Sequence, residues 1–344
     1  MGVPLRIFFA GSPGIAVPSL ESLAELAGEN AGFELAGVLT NPDSPRGRRD
    51  RPEPTEVGAA AAVISEKLMV RGKPPLVIIK AAKLDAHTRA EVKALEPDLL
   101  VSFAYGRIFG PKFLALFPLG GINIHPSLLP KYRGAAPIPA AILHREDKTG
   151  ISIQRLAVEM DSGEILTREE FPLTGRETTE TLSKTMAWKA AALLPETVKG
   201  LAAGTIVGYA QNHGEATYCS LISKEDGRID WGQSAADIDA RIRAFTPWPL
   251  CWTKQGEEYL YILEAAPWED GGTSGPGAGP ELGAEKPGSR EPGRVLGVDK
   301  GRGILIQTGD GALLVTRLQY RARKALDWQA FLNGARGFTG SRLG

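Results

Sequence analysis

The first forty residues constrain the fold more than any other stretch. Leu5-Arg-Ile-Phe-Phe-Ala10 is a short apolar run cut off by Gly11-Ser-Pro-Gly14, the pattern of a buried strand entering a tight turn. Leu20, Leu23 and Leu26 then recur at helical spacing, and Glu34–Thr40 is a second strand-like run closed by Asn41-Pro42. Strand, turn, helix, strand is a βαβ unit, which implies a parallel sheet. Runs at 76–79, 97–103 and 121–125 supply further short strands. Runs at 151–156 and 165–173 read as two more, around the turn-rich Asp161-Ser-Gly163. The pattern predicts an open, doubly wound α/β domain over residues 1–205.

From about residue 208 the pattern changes. Runs at 259–263, 303–307 and 313–318 recur without regular helices between them, which predicts a smaller β-rich domain over 206–344, barrel-like in character. Residues 269–293 interrupt it: 12 of these 25 are Gly or Pro, so the segment reads as a solvated insertion with no core of its own. The 40 basic residues are balanced by 40 acidic ones. That excludes a uniformly basic nucleic-acid coat and leaves local basic patches open. Cys219 and Cys251 are too few for a disulfide framework and suit a reducing compartment. Four histidines with neither CxxC nor HExxH give no reason to expect a metal site. The chain lacks an apolar run of the ~18 residues that a membrane span needs. The run at 5–10 is short and contains Arg6, unlike a signal peptide. A cytoplasmic protein without a membrane partner is expected.

Chemistry concentrates in Gly121-Ile-Asn-Ile-His-Pro-Ser-Leu-Leu-Pro130. Asn123 and His125 are two apart on a strand, so they share a face, and they sit at a strand end where ligands of open α/β sheets bind. Pro126 and Pro130 stiffen the loop that follows, so Ser127 to Pro130 can offer backbone groups to a flat heterocycle. The same residues also fit an ordinary strand-end histidine and a rigid turn. Asp161 reads either as a turn cap or as a carboxylate brought to His125. Gly11-Ser-Pro-Gly14 is not a GxGxxG fingerprint and reads as a strand–helix turn. Arg46-Gly-Arg-Arg-Asp-Arg51 is either a solvated charge run or a phosphate-binding loop. The basic tail after Arg317 raises the same choice, while Trp328 and Phe331 read as core residues of a terminal helix.

These residues resemble a known family. Asn123-Ile-His125-Pro-Ser-Leu-Leu-Pro130 with the later Asp161 is similar to the 10-formyltetrahydrofolate-dependent formyltransferases. The run Ser127 to Ile138 resembles the branch that acts on methionyl-tRNA. Phe8 to Pro13, Thr40 to Asp43, Phe103 to Gly106, Ser223 to Trp231 and Arg243 to Pro249 agree in the same order. The resemblance implies a Rossmann-like formyltransferase domain with a parallel-rich sheet, followed by an OB-like β-barrel. It implies Asn123, His125 and Asp161 as catalytic residues and Ser127, Leu128, Leu129 and Pro130 as folate-binding residues. Arg46, Arg48, Arg49 and Arg51 would bind the nucleic acid. The formyl donor would be 10-formyltetrahydrofolate, without a metal, and the acceptor the initiator methionyl-tRNA. The enzyme would act as a monomer in translation initiation. The chain departs from the family at Pro126, at Glu164, and at Pro54-Thr-Glu-Val-Gly58, which lacks a lysine common in relatives. A small-amine formyltransferase, an RNA-binding module and a dinucleotide-dependent dehydrogenase are the competing readings.

Overall fold

Strand β1 (Leu5–Gly11), helix α1 (Val17–Glu29) and strand β2 (Phe33–Thr40) form the expected βαβ unit, with β1 and β2 parallel. Pro18 stands in the first turn of α1, where a missing N–H does no harm. Leu20, Leu23 and Leu26 are its buried face. The computed structural model describes residues 3–45, 51–269, 291–299 and 301–344. The described residues cluster into two compact units. One comprises residues up to Pro137 with Lys148–Pro172 and Leu182–Ser220; the other comprises Ile138–Asp147, Leu173–Thr181 and Leu221–Gly344.

In the first unit, helix α2 (Glu56–Val70) precedes β3 (Val77–Lys80). Strands β4 (Leu99–Phe103), β5 (Gly121–His125), β6 (Lys148–Arg155) and β7 (Ile165–Pro172) follow. The sheet order is β7-β6-β5-β4-β1-β2-β3. The five strands from β3 to β5 pair in parallel, and β6 and β7 add antiparallel. Strand order reverses between β1 and β4, which opens a crevice at their carboxyl ends. Gly11 is required there, because a Cβ would stand 2.8 Å from the Phe103 carbonyl oxygen. The Gly11–Gly14 turn is used structurally: Ser12 Oγ accepts from the backbone and side-chain N–H groups of Asn41 at 3.1 and 2.9 Å. Helix α3 (Thr179–Ala202) follows β7 and buries Leu182, Met186, Ala190, Leu194 and Val198.

The second unit contains α4 (Ala235–Ala244) and strands β8 (Cys251–Gln255), β9 (Glu258–Pro267), β10 (Val295–Asp299), β11 (Gly303–Gln307), β12 (Ala312–Tyr320) and β13 (Leu326–Asp327). The order is β8-β9-β12-β11-β10, with β13 beside β12, and every pairing is antiparallel. Residues 340–344 hydrogen-bond both to Val295 of β10 and to Lys254 of β8, so the last turn of chain ties the two edges of the sheet together. Leu260, Ile262, Ile304, Ile306, Val315 and Leu318 are buried. Helix α4 goes beyond the sequence expectation, although Ser234 and Asp237 carry its signal. Ser234 Oγ accepts from the Asp237 N–H at 3.1 Å, an N-cap. Phe331, on the terminal helix α5 (Trp328–Gly334), is buried against Tyr320 and Phe338. Of the insertion at 269–293, residues 270–290 lie outside the described residues.

Candidate active site

Strand β5 lies between β4 and β6, and its last residues carry Asn123 and His125 at the carboxyl edge. Across the β5–β6 ladder Gln154 stands opposite Asn123 and Ser152 opposite His125. Directly opposed residues share a face, so four polar side chains line one patch at the sheet end. Asp161 comes to this patch from the loop between β6 and β7. Its backbone is left-handed, φ 52°, which a residue with a short polar side chain tolerates better than most. Gly163 anchors the same loop so tightly that a Cβ would stand 1.9 Å from the Arg155 carbonyl oxygen.

The Asp161 side chain is 12% exposed, and both of its oxygens are engaged. Oδ1 accepts from Gln154 Nε2 at 2.9 Å and, more loosely, from Asn123 Nδ2 at 3.4 Å. Oδ2 accepts from the Gly134 N–H at 2.9 Å and lies 3.6 Å from His125 Nδ1. The other imidazole nitrogen, Nε2, is 2.8 Å from the Tyr132 carbonyl oxygen. A carbonyl only accepts, so Nε2 carries the hydrogen and Nδ1 is the nitrogen free to gain or lose a proton. Amide, imidazole and carboxylate thus converge, and neither Asn123 Nδ2 nor His125 Nδ1 is tied to Asp161 by a short hydrogen bond.

The Ser127–Pro130 segment is more occupied by the protein itself than the sequence suggested. Ser152 Oγ donates to the Ser127 carbonyl at 2.8 Å and accepts from the Leu129 N–H at 3.1 Å. The Leu128 and Pro130 carbonyls accept from the N–H groups of Lys131 and Thr217, and the Leu129 carbonyl from Arg168 at 3.4 Å. What the segment offers a ligand is the half-buried surface of Leu128 and Pro130 and the second lone pairs of its carbonyls. A flat ring can pack on such a surface and meet acceptors at its edge.

Arg46, Arg48 and Arg49 lie outside the described residues; Arg51 is exposed, beside a short pairing of Ser44-Pro45 with Pro52-Glu53. Half of the basic tail is ion-paired in place. Arg317 pairs with Glu264, Arg323 with Glu258 and Arg342 with Glu291, the first because the β9–β12 ladder sets it opposite Glu264. Among the described residues no group of three His, Cys, Asp or Glu side chains is placed to hold a metal ion, and no helix is long and apolar enough to cross a membrane. Burial pushes the Cys219 thiol up, and the Asp161 carboxylate adds to the effect. Burial pushes the Cys251 thiol up to about 12.

Sequence reasoning missed Gln154, Ser152, Gln211 and Arg133. Two of them had a readable signal: in Ile151-Ser-Ile-Gln154 the polar residues alternate with isoleucines, which marks one polar face on a buried strand.

Residues 7–198 match the family described as formyl transferase, and 221–336 the family described as formyl transferase, C-terminal domain. The chain is 45% identical over 335 residues to the methionyl-tRNA formyltransferase of Treponema denticola, covering 97% of this chain and 98% of that one. It is 40% identical to that of Treponema pallidum, covering 99% of each. The N-formyltransferase of Helicobacter canadensis, solved with folinic acid and dTDP-3-aminofucose, is similar in fold: TM-score 0.59, 18% identity, 90% of this chain and 98% of that one. HypX of Aquifex aeolicus, solved with tetrahydrofolic acid, has a TM-score of 0.57 at 16% identity over 98% of this chain. This chain spans about half of HypX, 49% of its length.

Proposed function

The chain belongs to the formyl transferase family, and from that premise we propose that it transfers a formyl group from 10-formyltetrahydrofolate to the α-amino group of methionyl-tRNA. The chief support is the meeting of Asn123, His125 and Asp161 at the carboxyl end of a doubly wound sheet, in a chain so similar along its whole length to methionyl-tRNA formyltransferases.

When bound, the folate supplies an activated formyl carbonyl that the amine attacks. Asn123 turns its amide N–H to the carbonyl oxygen as negative charge grows there, and protonated His125 gives a second donor through Nδ1. Two such donors form an oxyanion hole. Nε2 stays anchored on the Tyr132 carbonyl, so the ring keeps its orientation while Nδ1 handles the proton. Asp161 faces Nδ1 and orients a water that relays the amine proton toward the leaving nitrogen. Leu128 and Pro130 present the surface against which the folate ring packs, and the carbonyl oxygens of Ser127 and Leu129 supply acceptors at its edge.

We assign folate binding and chemistry to residues 1–205 and tRNA binding to 206–344, helped by the loop at Arg46, Arg48, Arg49 and Arg51. A chain with no net charge attracts phosphates only through such local clusters. The enzyme acts as a monomer in the cytoplasm. The test is incubation with 10-formyltetrahydrofolate and methionyl-tRNA. Formylated methionyl-tRNA supports the proposal; turnover only with a small amine, or RNA retention without turnover, overturns it.

A further inference from the structure

Arg133 is one of the most deeply buried large side chains, 1% exposed, and its guanidinium reaches no carboxylate among the described residues. Nε and Nη2 donate to one acceptor, Gln211 Oε1, at 3.1 and 2.7 Å. Its other neighbours are His213 Nδ1 and the Tyr218 hydroxyl, each at 3.3 Å. A buried cation without an ionic partner is costly, so its position calls for an explanation.

The far side of Gln211 supplies one. Gln211 Nε2 lies 2.8 Å from the Asp161 backbone carbonyl, 2.7 Å from that of Gly163 and 3.0 Å from Gln154 Oε1. Gln154 Nε2 in turn donates to Asp161 Oδ1 at 2.9 Å. The direction of this chain is set at both ends: a guanidinium can only donate and a carboxylate can only accept. Both glutamines must therefore turn oxygen toward Arg133 and nitrogen toward Asp161. Gln211 holds the left-handed turn by its carbonyls, and Gln154 holds the carboxylate.

We propose that Arg133, Gln211 and Gln154 form a one-way hydrogen-bond relay that positions Asp161 for the reaction. The proposal rests on reading Asp161 as part of the reacting centre. The three are positioning residues: Gln154 is the cross-strand partner of Asn123, but no side-chain hydrogen bond among the described residues joins any of the three to Asn123 or His125. Aligned amide dipoles polarise one another, so the relay also directs the field of the buried cation at the carboxylate.

Gln211→Glu separates this role from simple support of the fold. A glutamate at 211 still binds Arg133, as an ion pair, but it turns oxygen instead of N–H toward three acceptors. Gln154→Met keeps the volume and removes the donor. Each is expected to lower kcat for formyl transfer about tenfold or more, with both KM values within about threefold. Thermal unfolding checks that each variant folds, and Gln154→Met alone decides if Gln211→Glu does not. Added to Asp161→Asn, either change is expected to lower kcat by less than about twofold further, the coupling of groups acting as one unit. Wild-type kcat in folded Gln154→Met or Gln211→Glu, or fully additive losses, overturns the relay alone. Wild-type kcat in Asp161→Asn overturns the reading of the site, and the relay with it.

Discussion

In the α/β unit His125, Ser127, Arg133, Ser152, Gln154 and Gln211 are all buried, and hydrogen bonds join them at the end of the sheet. In the β-rich unit the strands bury Leu260, Ile262, Ile304, Ile306, Val315 and Leu318, and three arginines of the tail, Arg317, Arg323 and Arg342, pair with glutamates at the exposed surface. Burying polar groups costs free energy unless every donor and acceptor is met. An apolar sheet interior has no such requirement. The contrast is between the polar sheet end of one unit and the apolar sheet interior of the other, and the ion-paired Arg317, Arg323 and Arg342 show that arginine count is a poor guide to where free positive charge lies.

The largest effect is expected at the polar patch. Asn123→Ala, His125→Ala and Asp161→Ala should each reduce kcat by about 10²–10³, read by steady-state formyl transfer, while thermal unfolding shows each protein still folded. Near-wild-type turnover in any one would remove that residue from the mechanism and weaken the contrast between the units. Packing should dominate the other unit. Leu260→Ala, at a fully buried position on β9, should cost about 2–5 kcal/mol in denaturant unfolding. A smaller cost than that would mean that the sheet interior is less tightly filled than its burial indicates.

Replacing Arg46, Arg48, Arg49 and Arg51 by alanine should flatten the salt dependence of tRNA binding, by roughly 0.7–0.9 in log–log slope for each phosphate no longer neutralised. Arg317→Ala should change stability by no more than about 0.5 kcal/mol and leave that slope almost unaltered, because Glu264 already neutralises it. A tail arginine that mattered more than the loop would show that an ion-paired arginine still reaches the phosphates. The cysteines give the finest test. Both thiols are pushed up, by burial in each case, which lowers the thiolate fraction and slows alkylation. Asp161→Asn should quicken alkylation of Cys219 near pH 8 a few-fold and leave Cys251 unchanged.

Much of this was legible residue by residue. The run Leu5–Ala10, the Gly11–Gly14 turn and the Leu20, Leu23, Leu26 spacing specify strand, turn and helix locally, and Asn123 and His125 share a face simply because a strand alternates. Helix α4 could have been read from Ser234 and Asp237, and the polar face of β6 from Ser152 and Gln154. Arg133 had no local signal: an arginine beside Tyr132 and Gly134 in a loop reads as solvated, and only the folded chain shows it enclosed.

The amino-acid order by itself determined the element types, the α/β then β-rich succession and the first two polar residues of the site, because those follow from periods of two and 3.6 residues within short windows. Tertiary structure alone decided that Asp161 faces His125, that Gln154 stands opposite Asn123, and that Gln211 links Arg133 to the Asp161 turn. Those meetings depend on strand register and loop return across separations of 31 to 78 residues, and no local pattern encodes a distance in space.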